Sequence, residues 1–156
     1  MVISIINYRT ADMTIACVES VLPQLENLHA RIVIVDNASG DGSLEALEKF
    51  VASRPASPPV SVIASPNNAG FSGGHNQTLK AFDADLYFIL NSDAVLREGC
   101  LEHLHKQSLI RPEVGLFAPM LEWEDTTPQI SCFRYASPMS ELIRAAETGA
   151  ITRAFK

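Results

Sequence analysis

The sequence predicts an α/β fold in which helices cover both faces of a mostly parallel central sheet. Three observations lead to this prediction. Short apolar runs rich in β-branched residues, typical of buried strands, recur along the chain. Between them lie longer segments whose apolar residues recur at helical spacing, so strands and helices alternate as in layered α/β proteins. Three of the apolar runs end directly in polar side chains, which is common at the ligand-binding edge of such sheets.

Nine elements follow from these patterns. In chain order we predict strand 2–6, helix 10–25, strand 31–35, helix 43–51, strand 60–64, helix 74–82, strand 86–90, helix 98–110 and strand 114–118. The run at 86–90 is continuous and apolar, so we expect a strand buried on both faces. The helix at 43–51 carries Leu44, Leu47 and Val51 at helical spacing.

Residues near the element ends support several of these boundaries. Thr10 or Asp12 can cap the first helix, and Pro23 should end or bend it. Pro119 stops the last strand. Beyond it the pattern weakens, and we predict a polar loop at 122–128, a short strand at 129–134 and a helix at 138–146.

Composition limits the class of protein. With 156 residues, of which 47% are hydrophobic and 19% charged, the chain is long enough for one globular domain with a sizeable core. Its net charge of −6 and its lack of a Lys/Arg cluster argue against a nucleic-acid partner. The three cysteines are far apart, which predicts neither a disulfide framework nor a zinc site and favours a reducing compartment. No signal peptide or spanning segment is evident.

Polar residues follow three of the predicted strands directly. Asn7 and Tyr8 follow the first strand, Asp36 follows the second, and Asn91-Ser92-Asp93 follows the strand at 86–90. The carboxyl ends of parallel strands meet at one edge of a sheet, where open α/β sheets bind ligands. We therefore expect these side chains to converge, and this convergence is the main functional signal in the sequence.

Each of these residues has a functional and a purely structural interpretation. Asp36 can accept the N–H of a pyrimidine base or bind a ribose hydroxyl, and Tyr8 can stack against a base. Alternatively, Asp36 caps the following helix and Tyr8 packs in the core. Asp93 can hold a divalent cation through oxygen, or it only starts a turn or caps the next helix.

A glycine-rich loop at 67–76 precedes the third predicted helix. Gly70, Gly73 and Gly74 would let the backbone approach a ligand closely and expose amide N–H groups to phosphate oxygens. Their spacing matches neither the dinucleotide fingerprint nor the Walker loop. His75 could touch a phosphate from this loop, or it could simply start the helix.

Taken together, several motifs resemble the family 2 glycosyltransferases. The matching segments are Asp36-Asn37-Ala38-Ser39, the loop at 67–76, Leu90-Asn91-Ser92-Asp93, and the later stretches 115–119 and 129–134. They are most similar to the rhamnosyltransferase-like branch that builds bacterial surface polysaccharides. Each motif alone is weak, but several in the right order and spacing are specific, and the match covers nearly the whole chain.

This resemblance implies a GT-A fold, which is a Rossmann-like α/β sandwich. It also implies an inverting transfer of a sugar from a dTDP- or UDP-linked donor to a saccharide or lipid-linked acceptor, in cell-surface polysaccharide synthesis. The implied cofactor is a divalent metal, Mg²⁺ or Mn²⁺. The implied location is the cytoplasm, with peripheral association at the inner face of the membrane.

The resemblance also assigns residues. The nucleotide-sugar-binding residues that it implies are Asn7, Tyr8, Asp36, Asn68, Gly70, Asn91, Ser92 and Asp93. Among them, Asp36 would contact the base. Asn91-Ser92-Asp93 stands where the family has Asp-x-Asp, so Asp93 would be the metal-binding carboxylate, with the neutral Asn91 as a weaker ligand.

The family's general base lies well downstream of that motif, so no catalytic residue is assigned in this chain. The resemblance implies a nucleotide-sugar-binding core at 1–119 and the start of an acceptor-side region at 120–156, with the C-terminal part truncated. Exposed apolar surface there would favour self-association. Two alternatives stay open: a nucleotide-sugar-binding fragment without catalysis, and an unrelated doubly wound binding domain.

Overall fold

In the computed structural model of the protein, which describes residues 1–131, strands and helices alternate as the sequence predicts. The elements are β1 (Val2–Asn7), α1 (Ala11–Val21), a 3₁₀ turn (Leu22–Leu25), β2 (Arg31–Asp36), α2 (Ser43–Ala52), β3 (Val60–Ala64), α3 (Gly70–Ala81), β4 (Tyr87–Asn91) and α4 (Cys100–Ile110). Pro23 lies in the 3₁₀ turn, so α1 ends there, as expected for a residue without an N–H donor.

The four strands form one parallel sheet in the order β3-β2-β1-β4. The register pairs Asn7 at the end of β1 with Asp36 at the end of β2, and it pairs Ile6 with Asn91 at the end of β4. The carboxyl ends of β1, β2 and β4 are therefore adjacent, which confirms the predicted convergence of the strand tips.

Alternate residues of the central strands face opposite layers of helices. Ile3 and Ile5 of β1 are completely buried in a cluster with Val18 of α1, Leu47 of α2 and Leu101 of α4. Each such side chain contributes about 1.5 to 3 kcal/mol by leaving water. Because neighbouring residues of a strand point to opposite sides, the other face of β1 packs against α3. Helices thus cover both faces of the sheet.

The glycines of the predicted loop lie inside α3, which begins at Gly70 and not at Gly74. A β-carbon at Gly74 would lie 2.7 Å from Cδ1 of Ile6. The absence of a side chain therefore lets α3 lie directly on β1, and this close packing offsets the poor helix propensity of glycine. The prediction of a loop up to residue 74 is wrong for this reason.

Strand β4 is less buried than predicted. Among the described strands it pairs only with β1, so it lies at an edge of the sheet, and Ile89 is 44% exposed. The strands that are buried on both faces are β1 and β2. An apolar run shows that a segment is a strand, but its place in the sheet depends on which strands pair.

The predicted strands near the end of the described chain do not form. Residues 114–118 adopt no regular structure, and Leu116 is 87% exposed because no described strand pairs with this segment. Residues 129–131 are likewise not in a strand, while the rest of that prediction and the helix at 138–146 lie outside the described residues. The polar loop at 122–128 contains an antiparallel bridge between Glu122 and Pro128.

The chain divides into two compact units, Met1–Phe117 and a second that starts at Ala118. The parallel sheet and its four helices all belong to the first unit. Within residues 1–131, none of the helices combines the length and the apolar character that crossing a bilayer requires.

Candidate functional site

Asp36, at the end of β2, is held by a network of hydrogen bonds. The residue is only 3% exposed. Its Oδ1 accepts from Nδ2 of Asn7 at 2.7 Å and from Oγ of Ser39 at 2.6 Å, and its Oδ2 accepts from the backbone N–H of Ser39 at 3.1 Å. An ionised carboxylate offers about four acceptor positions, so one position on Oδ2 has no partner among residues 1–131.

The alternative interpretation of Asp36 as a helix cap is wrong. Helix α2 begins at Ser43, and the N–H of Ser43 is bound by Oδ1 of Asp41 at 3.1 Å. A hydrogen bond from the side chain of Ser43, with a smaller contribution from this backbone bond, holds the pKa of Asp41 below its ordinary value. Asp36 instead closes a tight turn onto Ser39, three residues later, and aspartate side chains commonly bond nearby backbone groups in turns.

Asn7, at the end of β1, is completely buried and uses both ends of its side chain. Nδ2 binds Asp36, and Oδ1 accepts from Oγ1 of Thr14 at 2.9 Å and from the N–H of Thr10 at 3.3 Å. Thr10 occupies the N-cap position of α1 without a side-chain cap, and Asn7 pairs one N–H group at that helix end, that of Thr10. The side chain of Asn7 therefore holds the carboxylate of Asp36 in place through its Nδ2 hydrogen bond.

Ser39 and Arg9 complete this network; Arg9 follows Tyr8 at the polar tip predicted for the first strand, but neither residue is among the predicted binding residues. Oγ of Ser39 accepts from the N–H of Arg9 at 3.0 Å, and Nε of Arg9 donates to the carbonyl oxygen of Ser39 at 3.0 Å. Arg9 and Ala38 both have positive φ, at 60° and 58°, a conformation that non-glycine residues rarely adopt. Backbone strain of this kind is concentrated at functional sites.

Tyr8 lies on the surface beside this network. Its side chain is 41% exposed, and the guanidinium carbon of Arg9 lies 5.1 Å from the ring centroid. The alternative in which Tyr8 packs in the core is therefore wrong. An exposed aromatic ring that directly follows Asn7 in the chain is suited to stacking against a planar ligand.

The start of α3 lies next to the end of β2. Asn68 and Gly70 are exposed, and Oδ1 of Asn68 accepts from the N–H of Gly70 at 2.9 Å. Oδ1 of Asn68 also accepts from Nδ2 of Asn37 at 2.8 Å, which joins this segment to the tip of β2. The N–H groups of Ala69 and Gly70 are already bound, so this helix start would favour an anion through its dipole and the N–H groups that follow.

His75 does not extend from this segment into solvent. It is 5% exposed, its Nδ1 lies 2.8 Å from Oγ of Ser4, and its ring meets that of Phe71 edge to face at 4.5 Å. Burial holds the pKa of His75 below its ordinary value, so the ring is neutral at pH 7. The structure therefore contradicts a phosphate contact by His75 and supports a packing role.

The triplet Asn91-Ser92-Asp93 forms a turn at the end of β4. The carbonyl oxygen of Asn91 accepts from the N–H of Ala94 at 3.2 Å and from Sγ of Cys17 at 3.4 Å. Burial, together with the nearby negative charge of Asp93, raises the pKa of Cys17 to about 12. Asp93 does not cap α4, which begins at Cys100 after Gly99. It does lie in a turn, with its carboxylate exposed.

The side chains at this turn supply part of the ligand set of a divalent cation, and a substrate would supply the rest. Among residues 1–131, no cluster of three or more His, Cys, Asp or Glu side chains could bind a metal by itself. Asp93 offers one carboxylate and Asn91 one amide oxygen, and both residues are exposed. Mg²⁺ is commonly bound by one or two carboxylates together with substrate phosphates.

Two cavities of the structure lie away from the strand tips. One cavity of about 680 Å³ is lined by residues that precede the strands, at the opposite edge of the sheet. Another of about 770 Å³ lies between the 3₁₀ turn and α4. Neither includes Asp36 or Asp93. We base the candidate site on the convergence of polar side chains and not on cavity size.

Comparison with solved structures identifies the fold. The chain is similar to the mannosyltransferase PcManGT from Pyrobaculum calidifontis in complex with GDP-Man and Mn²⁺, with a TM-score of 0.61 and 17% identity over 69% of this chain and 31% of that one. It is also similar to S. aureus TarS 1-349 in complex with UDP-GlcNAc, with a TM-score of 0.60 and 18% identity over 71% and 31%. These similarities support the GT-A fold. This chain thus spans about a third of the length of the structures that it matches.

Comparison with other sequences identifies the family. A search of curated proteins finds no significant match. The model of the family described as "Glycosyl transferase family 2" matches residues 2–112, which is most of the chain and includes every strand of the sheet. The chain belongs to glycosyl transferase family 2.

Proposed function

We propose that this chain provides the donor-binding part of a glycosyltransferase, which moves a sugar from a nucleoside diphosphate-sugar to a saccharide or lipid-linked acceptor. The observation that carries the proposal is that a buried, oriented carboxylate, Asp36, and the exposed Asp93 lie at the same edge of the sheet, with the tip of β1 between them. Asp36 would bind the base and Asp93 the metal. Asn68 and Gly70 would lie on the diphosphate side.

The hydrogen bonds of Asp36 favour a uracil or thymine base. Its Oδ1 already accepts two hydrogen bonds, and within residues 1–131 one position on Oδ2 has no partner. Uracil and thymine present one N–H donor between two carbonyl groups, which matches a single free acceptor. Guanine presents two adjacent donors, which suit a carboxylate with both oxygens free. We therefore propose a UDP- or dTDP-linked donor.

The proposed role of the metal follows from the chemistry of the leaving group. A bound Mg²⁺ or Mn²⁺ would offset the charge that builds on the departing diphosphate. Asp93, Asn91 and Ser92 would hold it on one side, and the exposed amino end of α3 would favour the negative charge of the diphosphate. Transfer with inversion then needs a general base to take the proton of the acceptor hydroxyl.

The rest of the proposal concerns the whole protein. We propose that residues 1–119 are the donor-binding core and that 120–156 begin an acceptor-side region. We also propose a rhamnosyltransferase-like role in cell-surface polysaccharide synthesis, on the cytoplasmic side of the membrane. The motifs at 36–39, 67–76 and 90–93 support this branch.

A second candidate function is nucleotide-sugar binding without transfer by this chain. The observation that favours it is that the chain spans 31% of the length of the transferase structures that it resembles. The third alternative, an unrelated doubly wound domain, is wrong because the chain belongs to family 2.

The choice of base provides the test. We would titrate the chain with UDP, dTDP and GDP in the presence of Mn²⁺ and follow binding by calorimetry. The proposal predicts that UDP or dTDP binds at least about tenfold more tightly than GDP, which corresponds to one mismatched hydrogen-bonding group. Equal or tighter binding of GDP would contradict the assignment of a pyrimidine base to Asp36.

A further inference from the structure

Asn37 joins the tip of β2 to the start of α3 through three hydrogen bonds. Its Oδ1 accepts from the backbone N–H of Ala69 at 3.0 Å. Its Nδ2 donates to Oδ1 of Asn68 at 2.8 Å and to the carbonyl oxygen of Gly70 at 3.2 Å. Asn37 itself is 3% exposed, whereas the three residues that it binds are exposed.

The segment that Asn37 holds depends on these contacts for its shape. Gly70 has a φ of +69°, and its N–H is bound by Oδ1 of Asn68, the same oxygen that Asn37 binds. The backbone of Asn37 is fixed in turn, since its N–H donates to the carbonyl oxygen of Asn7 at 2.9 Å. A rigid strand end is thus connected to an exposed segment by one buried side chain.

We propose that Asn37 is a positioning residue that sets the distance between the base side and the diphosphate side of the donor site. This inference rests on the proposed function. Asn37 directly follows Asp36, which would bind the base, and it holds Asn68 and Gly70, which would lie beside the diphosphate. Both ends of one ligand can be bound together only if these two surfaces are held at a fixed separation, and fixing them in advance reduces the entropic cost of binding.

Asparagine is suited to this task because its amide has both an acceptor and a donor group. Aspartate would still accept the hydrogen bond from the N–H of Ala69. Its second carboxylate oxygen would face the acceptor oxygens of Asn68 and Gly70 and would have no hydrogen to donate to them. Alanine would leave the N–H of Ala69 and the carbonyl oxygen of Gly70 without this partner. In either variant the carboxylate of Asp36 keeps its own bonds to Asn7 and Ser39, so base recognition is preserved.

The test compares a nucleoside with its diphosphate. We would measure the affinity of the wild-type chain, Asn37→Ala and the control Asn27→Ala, whose asparagine is exposed, for uridine and for UDP with Mn²⁺. We expect Asn37→Ala to weaken UDP binding by at least about tenfold while uridine binding changes by less than about twofold. An equal loss for both ligands would show a merely structural role and overturn the proposal.

Hydrogen exchange tests the same contact without a ligand. We expect the amide of Ala69 to be protected in the wild-type chain although the residue is exposed, and to lose that protection in Asn37→Ala. An unprotected Ala69 in the wild-type chain would overturn the inference directly. Absence of UDP and dTDP binding by the wild-type chain would instead overturn the proposed function, and with it the role of Asn37 toward a donor.

Discussion

The side-chain amide of Asn7 donates a hydrogen bond to the carboxylate of Asp36 across 2.7 Å, between the ends of two adjacent parallel strands. Asn7 is completely buried, and Asp36 is nearly so. A buried carboxylate is costly unless its oxygens are satisfied, so this bond both permits the burial of Asp36 and fixes the direction of its remaining acceptor position. The candidate base-binding group is therefore oriented before any ligand arrives.

Replacing Asn7 with alanine should lower both stability and nucleotide affinity. The change removes one donor from Asp36 and the acceptor for Thr14, and buried polar groups left without partners cost about 1 to 3 kcal/mol. We expect the free energy of unfolding in urea to fall by about that amount. Asn27 is exposed, so Asn27→Ala is the control and should change the free energy of unfolding by less than about 0.5 kcal/mol. An Asn7→Ala chain as stable as the wild type would show that the bond has no such role.

Gly74→Ala should destabilise the chain because its β-carbon would meet Ile6. The nearest atom would be Cδ1 of Ile6 at 2.7 Å, with Cγ1 at 3.1 Å, so α3 or β1 must shift. Overpacking of this kind costs about 1 to 3 kcal/mol. The midpoint of urea unfolding should fall accordingly.

A second substitution separates this clash from a general effect of removing glycine. Ile6→Val deletes Cδ1, so the double variant Gly74→Ala, Ile6→Val should recover part of the loss and show a favourable coupling energy. Gly115→Ala is the matched control, since a β-carbon there would meet nothing within 4 Å. Strictly additive effects of the two substitutions would contradict the packing argument.

His75 should make stability depend on pH between neutral and mildly acidic conditions. Its Nε2 is buried and has no hydrogen-bond partner among residues 1–131, and burial lowers the pKa of the ring from 6.5. The unfolded chain therefore takes up a proton at a higher pH than the folded chain. The contribution of neutral His75 to the free energy of unfolding should be fully present above about pH 6.5. It should be lost as the pH drops toward the folded pKa.

The measurement is the free energy of unfolding in urea at several pH values from 7.5 to 5, a range chosen around that ordinary pKa. His75→Gln should reduce the slope below pH 6.5, whereas His103→Gln, at an exposed position, should leave it unchanged. A wild-type chain whose stability is flat or rises as the pH falls through this range would contradict the burial of a neutral His75.

The general architecture and the place of the candidate site could be predicted from the sequence. Runs such as 31–35 are long enough and apolar enough to indicate strands, and parallel strands necessarily bring Asn7, Asp36 and Asn91 to one edge. The period of the apolar residues is a local property of the chain, and the alternation of strands and helices predicts parallel strands with right-handed crossovers.

The supporting contacts could not be predicted in the same way. The roles of Ser39 and Asn37 depend on a turn in which Ala38 has positive φ, and no hydrophobic pattern signals that conformation. The spacing of three between Asp36 and Ser39 was a signal for such a turn that could have been used. The start of α3 and the edge position of β4 depended on packing against Ile6 and on sheet order, which are tertiary properties.

The central claim is that the tips of β2 and β4 bind a pyrimidine nucleoside diphosphate, with Asp36 at the base and Asp93 at the metal. The most direct measurement is a calorimetric titration with UDP and dTDP, with and without Mn²⁺. It would use the wild-type chain, Asp36→Asn, Asp93→Asn and the control Asp83→Asn, whose aspartate is exposed on the loop before β4.

We predict that the wild-type chain and Asp83→Asn bind one of the two nucleotides more tightly when Mn²⁺ is present. Asp93→Asn should lose that dependence on metal, and Asp36→Asn should bind at least about tenfold more weakly whether or not metal is added, since a hydrogen bond to a charged group contributes about 1.5 to 3 kcal/mol. A folded wild-type chain that binds neither nucleotide, or an Asp36→Asn chain that binds as well as the wild type, would contradict the account.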